Sequence, residues 1–203
     1  MRKIILVLVL ALTAGGTSGE QRERKREDPK ERAARRQRER VEELSRKLAR
    51  RQAAPQPSED NQFLHAQASV LMERARQTGG DSYRFDRICR AADALLEASE
   101  SIFESRQPEK ESEPDDQEDA ARRLERSYFR IQQGDYFARQ SGEAEAGVYL
   151  KHARALYQQA RGAYDQKQYR KAEKLGEAAG EIISALERLA QATVRVPEPP
   201  RLQ

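Results

Sequence analysis

An apolar stripe recurs every three or four residues between residues 59 and 195, interrupted only by short segments, most of which contain Gly or Pro. This spacing places the apolar side chains on one face of an α-helix, whereas a half-buried β-strand needs strict alternation. β-branched residues are scarce in this region and never alternate over the length of a strand. Each stripe is roughly three residues wide per heptad, which is typical of a packed bundle. The sequence therefore predicts an all-α fold.

The breaks between the stripes predict about five helices over residues 58–195. Gly79-Gly80, the acidic linker at 107–116, Ser141-Gly142 and the segment 165–168 separate them, and a Pro-rich tail follows at 196–203. The predicted helices span residues 59–78, 82–106, 117–140, 143–165 and 169–195. Most connections are short, which favours antiparallel neighbours. We expect an antiparallel helix-hairpin bundle or a short array of such hairpins.

One charged residue interrupts the stripe predicted for the helix at 117–140. That stripe is assigned to Ala121, Leu124, Tyr128, Ile131, Asp135 and Ala138. An ionised Asp is costly to bury alone. Either the helix face opens to solvent at Asp135, or Asp135 contacts an arginine such as Arg139 or Arg154.

The first 19 residues have the pattern of a cleaved bacterial signal peptide. Arg2 and Lys3 precede an apolar run from Ile4 to Leu12, and small residues follow up to Gly19. The apolar run is shorter than the ~20 residues that span a bilayer. The alternatives are an uncleaved anchor or a buried N-terminal helix. No later stretch of the sequence is apolar enough to cross a membrane, so we predict an exported protein, periplasmic or secreted.

Residues 20–57 form a basic arm that ends in a Pro-containing linker. Residues 20–53 hold 14 Lys and Arg against 8 Asp and Glu, a net charge of +6. The whole chain carries +4, including +2 from Arg2 and Lys3, so residues 54–203 carry −4. Helix formers dominate the arm, but its apolar seam is thin. We expect either a partly solvated helix or a helix whose apolar seam is covered by a partner. The seam also allows the arm to form a coiled-coil dimer.

The charge of the arm suggests contact with an anionic partner over residues 22–51. The candidate contacts are Arg35, Arg36, Arg46, Lys47, Arg50 and Arg51. An envelope polymer and lipid head groups both fit this charge. Nucleic acid fits poorly, because the arm has no aromatic side chains to stack on bases and the protein is predicted to be exported. The alternative without a ligand is a solvated helix.

Two helix hairpins of the predicted bundle resemble each other. Tyr83 to Ala92 aligns with Tyr169 to Ala178, which indicates either a duplicated hairpin or a shared heptad. The run from Ala163 through Tyr169 and Ala172 to Ala179 also resembles the turn and second helix of a tetratricopeptide-type repeat. The resemblance covers about 30 residues, and it implies a helical scaffold that binds peptides or proteins in a groove.

The sequence lacks the usual catalytic and metal-binding motifs. Neither His65 nor His152 has a His, Cys or carboxylate three or four residues further on, as a zinc pair on a helix requires. Cys89 is the single cysteine, so no disulfide can form within the chain, and we expect a buried apolar role for it. We find no HExxH, CxxC, GxSxG or phosphate-binding glycine loop. These observations favour a non-enzymatic protein without cofactor or metal.

The aromatic residues cluster on the two helices predicted at 117–140 and 143–165. The cluster comprises Tyr128, Phe129, Tyr136, Phe137, Tyr149, Tyr157 and Tyr164. Core packing explains some of them, but they occupy more than one helix face. Exposed Tyr and Phe often form the centre of protein interfaces. We therefore predict a scaffold or protein-interaction module of the bacterial envelope. Its candidate partner-binding residues are these seven aromatics, and binding through the basic arm is the alternative.

Overall fold

The computed structural model describes residues 28–55, 57–108 and 114–193, and in these ranges it contains α-helices and no strand. The helices are α1 (Pro29–Gln52), α2 (Glu59–Arg76), α3 (Ser82–Glu104), α4 (Pro114–Ser141), α5 (Ala146–Asp165) and α6 (Tyr169–Thr193). The prediction of an all-α fold is confirmed. The predicted signal peptide at 1–19 and the tail at 196–203 lie outside the described residues.

Short polar side chains start the first three helices. Asp28 accepts a hydrogen bond from the backbone N–H of Lys30, and Pro29 occupies the first turn of α1. Ser58 and Asp81 cap α2 and α3 in the same way. Each cap satisfies a backbone donor that the first helical turn leaves free.

Residues with a positive φ angle separate α2 from α3, α4 from α5, and α5 from α6. They are Gly79 (φ 64°), Gly80 (φ 96°), Gly142 (φ 63°) and Lys167 (φ 60°). Lys167 and Gln168 donate backbone hydrogen bonds to Tyr164 and Ala163, which is the Schellman pattern at a helix end. The predicted breaks therefore lie where the helices end, although α4 begins three residues earlier than predicted and α5 three residues later.

The six helices form two groups of three that pack together through α3 and α6. In the first group α1 and α2 pack against α3, and in the second α4 and α5 pack against α6. The hydroxyl of Thr193 donates to the carbonyl of Gln140 (3.0 Å), and Ser127 donates to Gly176 (2.7 Å). These two contacts show that α4 and α6 run in the same direction. Tyr128 contacts Tyr157 and Asp135 contacts Arg154, so α5 runs antiparallel to both.

The thin apolar seam of α1 is covered by the chain itself. Val41, Leu44 and Leu48 are buried in the same core as the side chains of α2 and α3. The opposite face of α1 is exposed along its length. Of the two expectations for the arm, the structure shows a helix that packs on its own body through one face and is solvated on the other.

The structure corrects the face of α4 that was predicted to be buried. The stripe that packs into the protein comprises Ala120, Leu124, Ser127, Ile131, Gly134 and Ser141, whereas Tyr128 and Asp135 are exposed. The reason is close packing. A Cβ added to Gly134 would lie 2.5 Å from Leu150 Cδ1 and 3.0 Å from Ile183 Cδ1. Only small residues fit there, so the large aromatics of α4 point outward.

Candidate functional site

The rotation of α4 leaves three aromatic side chains at the surface. Tyr128 is 47% exposed, Phe129 58% and Tyr136 62%. Adjacent exposed aromatics on one helix are costly to hydrate and are typical of interaction surfaces. The exposed face of α4 is therefore a candidate binding surface.

A groove between α4 and α5 gathers four of the seven predicted aromatics. Tyr128, Phe129, Tyr157 and Tyr164 line it, and its volume is about 540 Å³. The ring of Tyr128 lies 5.8 Å from that of Phe129 and 6.1 Å from that of Tyr157. Tyr164 packs edge-on against Tyr169 at 5.3 Å, which supports it from α6. We call this surface the aromatic groove.

Charged side chains form the rim of the aromatic groove. Arg161 and two carboxylates, Glu125 and Asp165, line it together with the rings. A hydrogen bond from the Arg161 guanidinium to Tyr157 raises the pKa of Arg161. The groove therefore combines apolar rings, hydroxyl donors and a small excess of negative charge.

The other three predicted aromatics lie elsewhere. Tyr149 is only 2% exposed, and its hydroxyl donates to Gln67 Oε1 at 2.9 Å, so it joins α5 to α2 inside the protein. Burial raises the pKa of this phenol. Tyr136 and the half-buried Phe137 contact each other edge-on at 5.7 Å, further along α4. Tyr136 extends the exposed aromatic face beyond the groove.

Two of the predicted anionic-partner contacts on α1 are engaged within the protein. Lys47 Nζ lies 2.6 Å from Asp93 Oδ1 and 3.5 Å from Glu97, both on α3. Arg51 pairs with Glu100 of the same helix. A row of carboxylates on α3 thus neutralises part of the basic arm.

The remaining four predicted contacts lie on the solvated face of α1. Arg35 is 3.6 Å from Glu39, and Arg46 is 3.8 Å from Glu42, each within one turn of the helix. Arg36 and Arg50 are exposed and make no ion pair with any other residue that the structure describes. Exposed pairs of this kind contribute at most about 1 kcal/mol.

Asp135 forms an ion pair with Arg154, one of the two arginines suggested from the sequence. Arg154 Nη2 lies 2.7 Å from Asp135 Oδ2, and both side chains are 52% exposed. Because α4 turns this residue outward, the carboxylate needs no buried partner. The pair joins α4 to α5 at the surface.

A buried polar network joins α2 to α3. Ser99 Oγ lies 2.7 Å from His65 Nε2, and Asn61 Nδ2 donates to Ser99 Oγ at 3.1 Å. The hydroxyl of Ser99 accepts from Asn61 and has both a second lone pair and a proton, so it can accept from His65 Nε2 or donate to it. Burial and the nearby Arg51 charge lower the pKa of His65. Ser99 is only 1% exposed, so this serine–histidine contact has no access for a substrate.

The remaining histidine and the cysteine have structural surroundings. His152 stacks on Phe63 at 4.0 Å, and its Nδ1 lies 3.2 Å from Asp60. Cys89 is buried, as expected from the sequence, and burial raises its pKa to about 11. Within residues 28–55, 57–108 and 114–193, no group of His, Cys, Asp or Glu is arranged to hold a metal ion. None of the helices in those ranges has an apolar stretch that could cross a bilayer.

Comparison of the chain with protein-family models, with curated proteins and with solved structures finds no match. The resemblance of residues 163–179 to a tetratricopeptide-type repeat therefore stays a prediction.

Proposed function

We propose that this chain is a non-enzymatic, exported helical scaffold that binds a protein partner through the aromatic groove. The observation that carries the proposal is the orientation of α4, which buries Ser127 and Gly134 and exposes Tyr128 and Phe129. Exposed aromatics provide the largest apolar contact area per side chain in an interface. The polar rim supplies the hydrogen bonds that give such an interface its specificity.

The geometry favours the aromatic groove over the basic arm as the binding site. Binding of an anionic polymer or lipid head group would need a free cationic face, yet Arg40, Lys47 and Arg51 pair with acids of α3. Arg35 and Arg46, which face solvent, lie beside acids of the same helix, whereas Arg36 and Arg50 do not. The acids beside Arg35 and Arg46 reduce the local potential that would attract a polyanion.

A cross-linked pull-down from the native envelope tests the proposal. The bait is the protein with Tyr128→Ala and Phe129→Ala, compared with the unsubstituted protein at low and high salt. We expect the double substitution to reduce recovery of the partner at least about tenfold, since central aromatics contribute ~2 kcal/mol or more each. Recovery from the unsubstituted protein should survive high salt, because contacts between apolar surfaces are not screened.

Tyr83→Ala is the matched control for this experiment. Tyr83 is also an exposed aromatic, 37% accessible, but it lies on α3 outside the groove. Its removal should leave recovery unchanged. Recovery that is salt-sensitive, insensitive to the α4 substitutions and lost on substitution of Arg36, Arg46 and Arg50 would instead support the arm as the binding site.

Export is tested separately from binding. Residues 1–30 are fused to a reporter enzyme that is active only outside the inner membrane. We expect reporter activity and a mature N-terminus after residue 17, 18 or 19, because the small residues before that point suit signal peptidase. Replacing Leu8 with Arg should abolish activity, since the charge breaks the apolar run. Activity that persists would contradict the prediction.

A further inference from the structure

The last ten residues of the sequence have the composition of a proline-rich recognition segment. Residues 194–203 read Val-Arg-Val-Pro-Glu-Pro-Pro-Arg-Leu-Gln, so Pro197, Pro199 and Pro200 are followed by Arg201. Proline restricts φ and favours an extended polyproline II helix, so docking such a segment costs little conformational entropy. Segments of this kind dock in grooves lined by aromatic rings.

The hydrogen-bonding groups of the aromatic groove complement such a segment. A proline-rich chain presents backbone carbonyl acceptors and few N–H donors. The groove is lined by Tyr128, Tyr164, the largely buried Tyr157 and Arg161, whose hydroxyl and guanidinium groups are of the kind that donates hydrogen bonds. Proline rings can pack on the neighbouring Tyr and Phe rings, whose centres are 5.8 and 6.1 Å apart.

The charges of the segment and the groove also match. Arg195, Glu198 and Arg201 give the segment a net charge of +1. Glu125, Asp165 and Arg161 give the groove a net charge of −1. Arg201 follows the prolines directly, so a carboxylate at the rim of the groove is a suitable partner for it.

The segment starts within reach of the groove. Thr193 bonds to Gln140 of α4, which is eleven residues beyond Phe129 in the same helix. Eleven helical residues span about 16 Å. An extended chain spans about 3.1 Å per residue, so residues 194–200 could place Pro199 and Pro200 about 19–22 Å from Thr193, whereas Pro197 could be only about 12 Å away. Pro199 and Pro200 are therefore far enough along the chain to span the ~16 Å to the near end of the groove.

We propose that the aromatic groove is the docking site of the chain's own residues 194–203, which compete there with an external partner. The inference rests on the proposed function, because it assigns a ligand to the same surface. It also states the chemistry of that partner, which is an extended proline-rich segment with an arginine at one end. The segment then limits binding to partners that displace it.

Competition between the tethered segment and a free peptide tests the proposal. The probe is a fluorescein-labelled peptide of residues 194–203, and its affinity is measured by anisotropy against the full chain. A second full-length protein carries Pro197→Ala, Pro199→Ala and Pro200→Ala. We expect the peptide to bind this variant at least about tenfold more tightly than the unsubstituted chain, because a tethered ligand acts at a high effective concentration.

Two further substitutions locate the binding site. In the background of the three proline substitutions, Phe129→Ala should weaken peptide binding at least about tenfold. Tyr83→Ala in the same background should have no effect. The Phe129 side chain is 58% exposed, so its removal leaves the core intact, and far-ultraviolet circular dichroism checks this.

Several outcomes would overturn the inference. Equal peptide affinity for the two full-length proteins would show that the tethered segment does not occupy the groove. A competition that grows with protein concentration would assign the segment to a second copy. If Phe129→Ala removes the protein partner but not the peptide, the proposed function stands and this inference fails. If Phe129→Ala removes the peptide but not the partner, the segment docks in the groove, but the proposed function and the inferred competition are both wrong.

Discussion

At the scale of single residues, the burial of His65 makes folding sensitive to pH. The pKa of His65 is lowered from 6.5 in the folded protein, so the unfolded chain binds the proton more readily. The stability from neutral His65 is therefore present above pH 6.5 and is lost as pH falls through 6.5 towards the lowered folded pKa. We expect the free energy of unfolding, measured with urea, to fall between pH 7.5 and 5.5.

Replacement of each histidine separates this effect from other titrations. His65→Gln can still form a hydrogen bond with Ser99 but does not titrate, so the decrease between the two pH values should become smaller. His152→Gln removes the other histidine, which is near the surface beside Asp60, and should keep the His65 contribution. If the free energy of unfolding falls equally between pH 7.5 and 5.5 in the His65→Gln and unsubstituted proteins, titration of His65 does not cause the decrease.

Among the helices, α4 is held against α5 and α6 by a glycine. A side chain at Gly134 would collide with Leu150 and Ile183, both of which are buried. We expect Gly134→Leu to lower the free energy of unfolding by about 2–3 kcal/mol, because overpacking forces these side chains and α4 apart. Urea-induced unfolding followed by circular dichroism measures the change.

Gly162→Ala is the matched control on α5. An added Cβ at Gly162 meets no atom within 4 Å, and the residue is inside a helix. The substitution should therefore stabilise the protein by about 0.5–1 kcal/mol, since alanine loses less backbone entropy. A Gly134→Leu protein that unfolds at the same urea concentration as the unsubstituted chain would show that α4 does not pack as described.

Across the whole molecule, α1 is held less firmly than the other helices. It buries only Val41, Leu44 and Leu48, and its cations pair with Asp93 and neighbouring acids of α3. Local opening of such an element needs less free energy than global unfolding. We expect the amides of α1 to exchange with deuterium earlier than those of α3 and α6.

Substitution of Asp93 tests whether the ion pairs between α1 and α3 affect how early the amides of α1 exchange. Asp93 Oδ2 and Oδ1 contact Arg40 at 3.0 Å and Lys47 at 2.6 Å, so Asp93→Asn should speed exchange in α1 severalfold, for a loss of about 1 kcal/mol. Asp86→Asn is the control, because within the part of the chain that the structure describes Asp86 pairs with Arg90 on its own helix and with no cation of α1. If exchange in α1 does not respond to Asp93→Asn, the apolar seam alone holds the helix.

Much of the fold and part of the candidate site could be predicted from the sequence. The periodic stripes and the turns at Gly79-Gly80 and Gly142 located the helices to within about three residues. Clustering of aromatics on the helices at 117–140 and 143–165 pointed to the region of the groove. It did not show that Tyr149 is buried or that Arg161 forms part of the rim. No sequence pattern marked Arg161 as part of a site, because it becomes a neighbour of Glu125 only when α4 and α5 pack.

The sequence by itself determined that this protein is helical and where its helices end, because periodicity and turn residues act between neighbours in the chain. Only the tertiary structure decided which face of α4 is buried. Ser127 and Tyr128 both continue a heptad pattern from Leu124, and so do Gly134 and Asp135. The choice between them depends on the space left by Leu150 and Ile183, which are distant in sequence. That choice exposes the aromatic rings and so creates the groove.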